Sequence, residues 1–435
     1  METKEEIPEY TVAEAVAEAS RCLNCPKPLC KTGCPISNDI PQFNHALSIG
    51  NIGEAYRIIS AKSNLPAICG RVCPHENQCE GHCVLAKSGK GIKIGRIERF
   101  IADFYIENEM APKKVKPAPK KNVKIAVVGG GPAGITAAGD LASQGFDVTI
   151  YEGNPEAGGV LLYGIPDFRL PKDVVRREVK KLEALGVTFV TDTIVGKDIT
   201  IDQLMDEKGF KAVFIGSGAD LSNSLDLPGK ELDGVIQSDY FLHQVRLYND
   251  GKVSADEVPV KEGDEVVVIG AGNVAMDACR TAVRMKAAKV TVCYRKTIDF
   301  MKAARAEYDG AVSDGVEFRW QHVPDGYEGK DGKVTGFRVS TPDGEKKVVP
   351  ANKILVSVGS QPDGNAISGI SGIETDEKGY YKVSQKPYGM TTKKGVFAAG
   401  DAVHKPATVV LAMREAKKTA AGIVDYLAAK ELLGE

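Results

Sequence analysis

Two glycine-rich turns constrain this chain more than any other feature. Lys124 to Val128 (KIAVV) reads as a short buried strand that runs straight into Gly129-Gly-Gly-Pro-Ala-Gly134. An apolar helix follows to about Gln144, and Asp147 to Tyr151 (DVTIY) forms the next strand, ending at Glu152. Strand, glycine turn, helix and terminal acid in this register are the dinucleotide fingerprint of a parallel α/β fold. Gly129 permits the tight turn, Gly131 lets the backbone approach a pyrophosphate, and Gly134 allows close helix–strand packing. Pro132 and Ala133 open the helix, whose N-terminal amides and positive dipole end face the phosphates. Glu152 can accept from ribose hydroxyls.

The pattern then repeats. Glu265 to Ile269 (EVVVI) leads into Gly270-Ala271-Gly272-Asn273-Val274-Ala275 and a helix to about Lys286, with Lys289 to Tyr294 as the following strand. Alanine at the third position is an accepted variant. The second strand ends in Arg295-Lys296 instead of an acid. An acid there would repel a 2′-phosphate and cations attract it, so this site predicts NADP(H). Gly395 to Asp401 (GVFAAGD) is a third strand-and-turn, followed by a helix from Thr408 to about Ala428. The expected fold is therefore α/β with two nested dinucleotide-binding domains. One spans 123–228 and is completed over 356–435; the other is inserted over 229–355. Asp401 is then placed to reach the ribityl chain of a flavin held by the first fingerprint.

Eight of the ten cysteines lie before this machinery, as Cys22-x2-Cys25-x4-Cys30-x3-Cys34 and Cys69-x3-Cys73-x5-Cys79-x3-Cys83. No signal sequence is read in METKEEIPEY, so the reducing cytoplasm is expected, and there clustered cysteines favour metal over disulfides. With 56 basic and 58 acidic side chains, a dedicated nucleic-acid binder is not expected. No apolar run reaches membrane-spanning length. Cys279 and Cys293 stand alone in a helix and a strand and read as core packing.

The cysteine domain, 1–109, reads as α-helical. Thr11 and Glu14 form a capping box, and short helices are expected over Asp39–Ile49 and Gly53–Ala61. The Pro- and Gly-bearing stretches Cys22–Cys34 and Leu65–Pro74 onward read as loops. Ile94 to Asn108 is an amphipathic helix with Ile94, Ile97, Ile101 and Phe104 as its buried stripe. Glu98 falls on that stripe. A carboxylate aimed at a core needs an ion pair, with Arg71 or Arg99 as candidates, or a metal. Residues 110–122, rich in Pro and Lys, form a linker.

RCLNCPKPLCKTGCP, LPAICGRVCPHENQCEGHC, GGGPAG with YE, GGVLLYGIPDFRLP, GAGNVAMD and VFAAGD together resemble the small-subunit family of NADPH-dependent glutamate synthase. The same module resembles the N-terminal half of dihydropyrimidine dehydrogenase and the larger subunit of NADH-dependent ferredoxin:NADP oxidoreductase. The likeness implies an α-helical domain with two 4Fe–4S clusters, a flavin-disulfide-reductase-like pair of Rossmann-type domains, FAD and NADPH. It also implies a ligand set: Cys22, Cys25, Cys30 and Cys83 for one cluster, and Cys34, Cys73, Cys79 and Glu98 for the other, with Cys69 a bystander. The FAD positions it implies include Gly129 to Gly134, Glu152, Gly159, Leu162, Arg169, Val195, Gly400, Asp401 and Thr408. Those for NADPH include Ala271, Gly272, Asn273, Val274, Arg295, Lys302, Val358 and Gly359, with Lys296 beside them.

The mechanism this implies is electron splitting: a hydride from NADPH to flavin, then single electrons through the clusters to a partner. No general base is required. The partner expected is a larger or second redox subunit in a hetero-oligomer, either a glutamate synthase large subunit or a ferredoxin-linked flavoprotein of a transhydrogenase. Two other readings compete. A zinc-stabilised disulfide reductase would need a redox-active cysteine pair, and no CxxC occurs after residue 123. A cluster-bearing scaffold with purely regulatory nucleotide sites would not need both fingerprints complete.

Overall fold

The structure is a computed structural model that describes residues 5–108, 118–364, 367 and 371–434. The expected linker lies largely outside the described residues, since 109–117 are not among them. The chain divides into two units. One is built from Glu5–Leu161, Arg169–Asp220 and Gln361–Glu435, the other from Leu162–Phe168 and Leu221–Ser360.

The first unit opens with six short helices: Val12–Ser20, Leu29–Gly33, Ile40–Ser48, Ile52–Ser60, Pro66–Val72 and Ile94–Glu107. The capping box is present: Glu14 N–H donates to Thr11 Oγ1 at 3.2 Å, and Thr11 N–H donates to Glu14 Oε2 at 2.7 Å. Phe43, Leu47, Ile59, Ile97 and Ile101 are each 0 % exposed and form the core of these helices. Each contributes about 1.5–3 kcal/mol of hydrophobic stabilisation. Two stretches expected to be loops contain helical turns. Leu29–Gly33 follows Pro28 and Pro66–Val72 has its proline at the first position. Proline in the first turn gives up an amide that has no intrahelical partner, so it starts a helix there instead of breaking one.

A five-stranded, all-parallel sheet follows, in the order Val396–Ala398, Ala212–Ile215, Lys124–Val128, Asp147–Tyr151 and Thr188–Val190. Its edge strand comes from the far end of the chain, beyond the second sheet. Helix Pro132–Ala142 packs on the long helix Val409–Leu433. Ala137, Ala138, Ala416 and Ala420 are all buried, and small side chains let two helices approach closely. The six-helix portion docks on this pair. Asn64 Nδ2 donates to Asp140 Oδ1 at 2.8 Å, and Lys417 Nζ donates to Asn64 Oδ1 at 2.7 Å.

The second unit holds another all-parallel sheet, ordered Val235–Gln237, Lys353–Val356, Glu265–Ile269, Lys289–Tyr294 and Glu317–Trp320. It also carries an antiparallel meander of Val323–Lys330, Lys333–Ser340 and Lys346–Pro350. The fingerprint reading did not anticipate the meander. Its signal was Asp331-Gly332, which turns with φ of 52° and 77°, the geometry that Asp-Gly favours between antiparallel strands. Among the described residues no helix is long and apolar enough to cross a membrane.

Candidate cofactor sites

Cys22, Cys25, Cys30 and Cys83 line one cavity, together with Leu23, Leu29, Ile40, Asn44 and Leu85. Cys22 and Cys25 lie on a loop turned by Asn24 at φ 47°. Cys30 lies on the Leu29–Gly33 helix, and Cys83 caps the 3₁₀ turn Val84–Ser88. Burial pushes the Cys30 thiol up to about 11, and the other three cysteines are close enough to add to that shift. Asn44 is 1 % exposed, and neither end of its side-chain amide has a hydrogen-bond partner. An orphaned buried amide normally costs about 1–3 kcal/mol, so a cage of sulfides in this cavity fits it. Asn44 was missed by sequence reasoning. Its signal was its place four residues after Ile40, on the buried face of its helix.

The second group gathers Cys34, Cys73, Cys79 and Glu98. Cys34 and Cys73 cap the ends of the Leu29–Gly33 and Pro66–Val72 helices. Glu98 is 8 % exposed. Arg71 instead pairs with Glu5 at 3.0 Å and Asp103 at 2.7 Å. Arg99 pairs with Glu5 at 2.8 Å and Asp103 at 3.5 Å. The ion-pair alternative for Glu98 therefore has no support in either arginine. Burial alone pushes the Glu98 carboxyl up to about 8. Cys34 and Cys79 are raised by burial, and the Glu98 charge adds to both. Cys73 is raised first by the Cys69 thiol against it, then by burial and by Glu98. Among the described residues no cation offsets this set. An iron cluster would supply one, since thiolate and carboxylate ligands are held ionised by metal.

Backbone amides already face the sulfurs. The N–H groups of Ile36 and Asn38 donate to Cys34, that of Lys31 to Cys30 and that of Glu80 to Cys79. Amide-to-sulfur hydrogen bonds of this kind tune cluster potentials. Cys69 is 2 % exposed, with its Sγ 3.6 Å from Met413 Sδ on the Val409–Leu433 helix. Among the described residues no three His, Cys, Asp or Glu side chains converge on a single-ion site.

At the first sheet, Gly129 has φ 92°, and a Cβ there would meet Gly216 O at 2.7 Å. A Cβ on Gly134 would lie 1.9 Å from Gly129 O, so helix and turn touch as the fingerprint requires. Gly131 caps the Pro132–Ala142 helix. A Cβ on Gly159, which has φ 51°, would lie 2.8 Å from Gly131 Cα. These glycines keep an open cradle at the helix N-terminus where Pro132 and Ala133 begin. Gly400, at φ 70°, brings the late turn over Ala133. Asp401 follows it, and burial pushes its carboxyl up to about 6 although it accepts from the Ala407 amide. Thr408 caps the long helix, and its Oγ1 is buried without a partner. A flavin's polar chain fits that orphan.

Glu152 Oε2 accepts from Gly130 N–H at 2.7 Å, while Oε1 accepts from the Asn154 amide at 2.9 Å. Glu152 thus braces the glycine turn as well as facing it. Val195 is buried beside the sheet in the same core as Tyr151. Arg169 is half-buried in the same unit. Leu162 is fully buried, but its segment, Leu162–Phe168, belongs to the second unit.

In the second unit Gly270 has φ 127°, with room for a Cβ only 2.4 Å from Ser357 O. Ala271 O accepts from Lys302 N–H at 3.0 Å, and Asn273 Oδ1 accepts from Ala304 N–H at 3.1 Å. The turn thereby holds the 302–304 loop next to itself. Gly272 caps the Asn273–Arg284 helix and Val274 is exposed on its first turn, whereas Ala275 is fully buried in the core. Val358 and Gly359, at φ 95°, follow the Lys353–Val356 strand. Arg295, Lys296 and Lys302 are exposed, and none forms an ion pair among the described residues. Cys279 and Cys293 are 0 % and 1 % exposed and pack in the core.

Residues 1–110 match the family model described as dihydropyrimidine dehydrogenase domain II, 4Fe–4S cluster, and residues 123–416 match that of pyridine nucleotide-disulphide oxidoreductase. The chain is 36 % identical to the glutamate synthase [NADPH] small chain of Halomonas elongata, over 96 % of this chain and 92 % of that one. It is 34 % identical to a subunit of NAD-dependent dihydropyrimidine dehydrogenase of Escherichia coli, over 97 % of this chain and 96 % of that one. Among solved structures, FprA of Mycobacterium tuberculosis in complex with NADPH shares the fold, with a TM-score of 0.60 at 19 % identity over 72 % of this chain and 87 % of that one. With an iron–sulfur domain, both dinucleotide folds and relatives matched over nearly their full length, this chain belongs to the glutamate synthase small-chain family, oxidoreductases that work with FAD, NADP(H) and iron–sulfur.

Proposed function

We propose that this protein draws electrons from NADPH and delivers them singly, through two 4Fe–4S clusters, to a second redox subunit. The chemistry supplied by the bound groups is hydride acceptance at the flavin and one-electron transfer through iron–sulfur. The protein's own residues bind, orient and insulate those groups. Cys22, Cys25, Cys30 and Cys83 hold one cluster, with the Asn44 amide donating to it. Cys34, Cys73, Cys79 and Glu98 hold the other. Gly129 to Gly134, Gly159, Gly400, Asp401 and Thr408 cradle FAD, with Glu152, Arg169 and Val195 around it. Ala271 to Val274 and the Val358-Gly359 turn receive NADPH, and Arg295, Lys296 and Lys302 receive its 2′-phosphate.

One observation carries the reading. The cysteine portion and the flavin fold form a single unit, joined where Cys69 Sγ lies 3.6 Å from Met413 Sδ on the helix that Thr408 caps. That contact supports an electron path from the flavin fold toward the Cys73 group. Relatives named as a small chain and as a subunit support a second-subunit partner. The glutamate synthase large subunit is the partner we favour, with a cytoplasmic location. The dihydropyrimidine dehydrogenase relative keeps a ferredoxin-linked or pyrimidine-reducing partner as the second reading. Anaerobic titration of the reconstituted protein with NADPH tests the core of the proposal. Flavin bands and the broad iron–sulfur absorption should bleach together. Iron–sulfur absorption that NADPH leaves unchanged would refute it.

A further inference from the structure

The loops that bring Cys22, Cys25, Cys30 and Cys83 together also present an unusual surface. Leu23, Leu29 and Val84 are 61 %, 47 % and 37 % exposed. Each is adjacent in sequence to one of those cysteines, and all three line the same cavity. Large side chains so exposed are common singly, but a contiguous group around one site marks an interaction face. The four cysteines are themselves all half-buried, while the other group pairs half-buried Cys34 and Cys73 with buried Cys79 and Glu98. The Cys22 group is thus the shallower of the two.

The two loops around this apolar spot carry an excess of positive charge. Residues 19–38 and 81–97, which supply both loops, contain Arg21, Lys27, Lys31, Lys87, Lys90, Lys93 and Arg96 and no Asp or Glu. Arg21 is neutralised by Glu18, Lys31 by Asp39 and Lys93 by Glu80. Lys27, Lys87 and Lys90 are exposed and form no ion pair among the described residues. The loops are tied together, since Arg21 Nη2 donates to Lys90 O at 2.5 Å. The whole chain is near neutral, with 56 basic and 58 acidic groups, so this excess is local. An apolar centre with a net positive polar rim is the anatomy of a protein interface whose rim selects its partner by charge.

We propose that Leu23, Leu29 and Val84, rimmed by Lys27, Lys87 and Lys90, form the docking face for the acidic surface of a one-electron acceptor protein. The inference rests on the proposed route through the clusters and names the charge and chemistry of its recipient. The apolar centre excludes water between the two redox centres, and the lysines steer and orient the acceptor. The electrons balance as one NADPH oxidised to NADP⁺ and a proton, with two acceptor molecules each reduced by one electron.

The test uses the full-length, cluster-loaded protein with an acidic 2Fe–2S ferredoxin as probe acceptor and a basic cytochrome c as its opposite. Neutral menadione reports the flavin alone. NADPH-dependent ferredoxin reduction should fall steeply with added salt, as steered encounters do. The triple variant Lys27→Glu, Lys87→Glu, Lys90→Glu should raise the KM for ferredoxin about tenfold or more. The same variant should improve cytochrome c reduction and leave menadione reduction as in the parent. The neutral triple Lys→Gln variant should fall between, and Leu29→Gln should weaken ferredoxin turnover without changing its salt slope. Equal KM values in parent and charge-reversed proteins, or a parent that prefers cytochrome c, would overturn the proposal. Loss of cluster reduction by NADPH in the parent protein would instead overturn the electron route beneath it.

Discussion

Replacing Arg295 with alanine offers the sharpest test of the nucleotide assignment. Arg295 follows the Lys289–Tyr294 strand, where an NAD-type site carries an acid. It is exposed and makes no ion pair among the described residues, so no internal bond is broken when it is removed. The loss is then the contact with a 2′-phosphate. A unit charge pair at contact distance in water is worth about 1 kcal/mol, rising to about 4 kcal/mol near a protein surface. Exposure at Arg295 puts the effect toward the lower end, about 1.5–2 kcal/mol. Each 1.4 kcal/mol is tenfold, so the KM for NADPH should rise roughly tenfold to thirtyfold. Lys296 and Lys302 remain, which keeps the residual affinity measurable. NADH has no 2′-phosphate, so its kinetics should hardly change. Steady-state menadione reduction with each nucleotide, at low and high salt, reads the difference directly. Equal effects on NADPH and NADH would refute the argument.

Three further outcomes follow from the sites. Glu98→Ala should alter the EPR signal and potential of one cluster while FAD content stays the same; unchanged cluster signals would remove Glu98 from the ligand set. Asn44→Leu deletes an amide donor and should make the Cys22 group harder to reduce, shifting its midpoint potential downward with the other cluster unaffected. Asp401 is held near 6 by burial, above its ordinary value of 3.8. Its proton is bound more tightly in the folded state, so the stability it lends is complete below about 4 and is lost as pH rises through 6. Moving that carboxyl from its ordinary range to about 6 is worth about 3 kcal/mol in the FAD-free protein. Asp401→Asn should flatten that window in urea unfolding, and a pH dependence that persists in the variant would assign it elsewhere.

Much of the site was legible because its physics is local. A strand, a glycine turn and a helix are neighbours in sequence, so Gly129, Gly131 and Gly134 could be read before any fold was known. Arg295 and Lys296 were legible for the same reason, as the end of a strand beside its own turn. Glu98 was visible as a carboxylate on a buried stripe, although periodicity left open whether an arginine or a metal met it. Asn44 carried the same signal and was overlooked. The helical turns at Leu29–Gly33 and Pro66–Val72 were missed because proline was read as a breaker, when its position decides. The meander was missed although Asp331-Gly332 marked its turn.

What the sequence determined by itself is the kind of chemistry: two dinucleotide turns, a cysteine-rich module and a cationic strand end, each defined by residues a few positions apart. Tertiary structure decided which distant residues meet. Only packing brings Cys83 to the cavity of Cys22, Cys25 and Cys30, denies Glu98 either arginine, and pairs strand Val396–Ala398 with Ala212–Ile215. It also sets Cys69 against Met413 and leaves Leu23, Leu29 and Val84 exposed. Local chemistry is encoded by short-range covalent order. Cofactor cages and docking faces depend on burial and charge summed over segments far apart in the chain, and those sums exist only once the chain has folded.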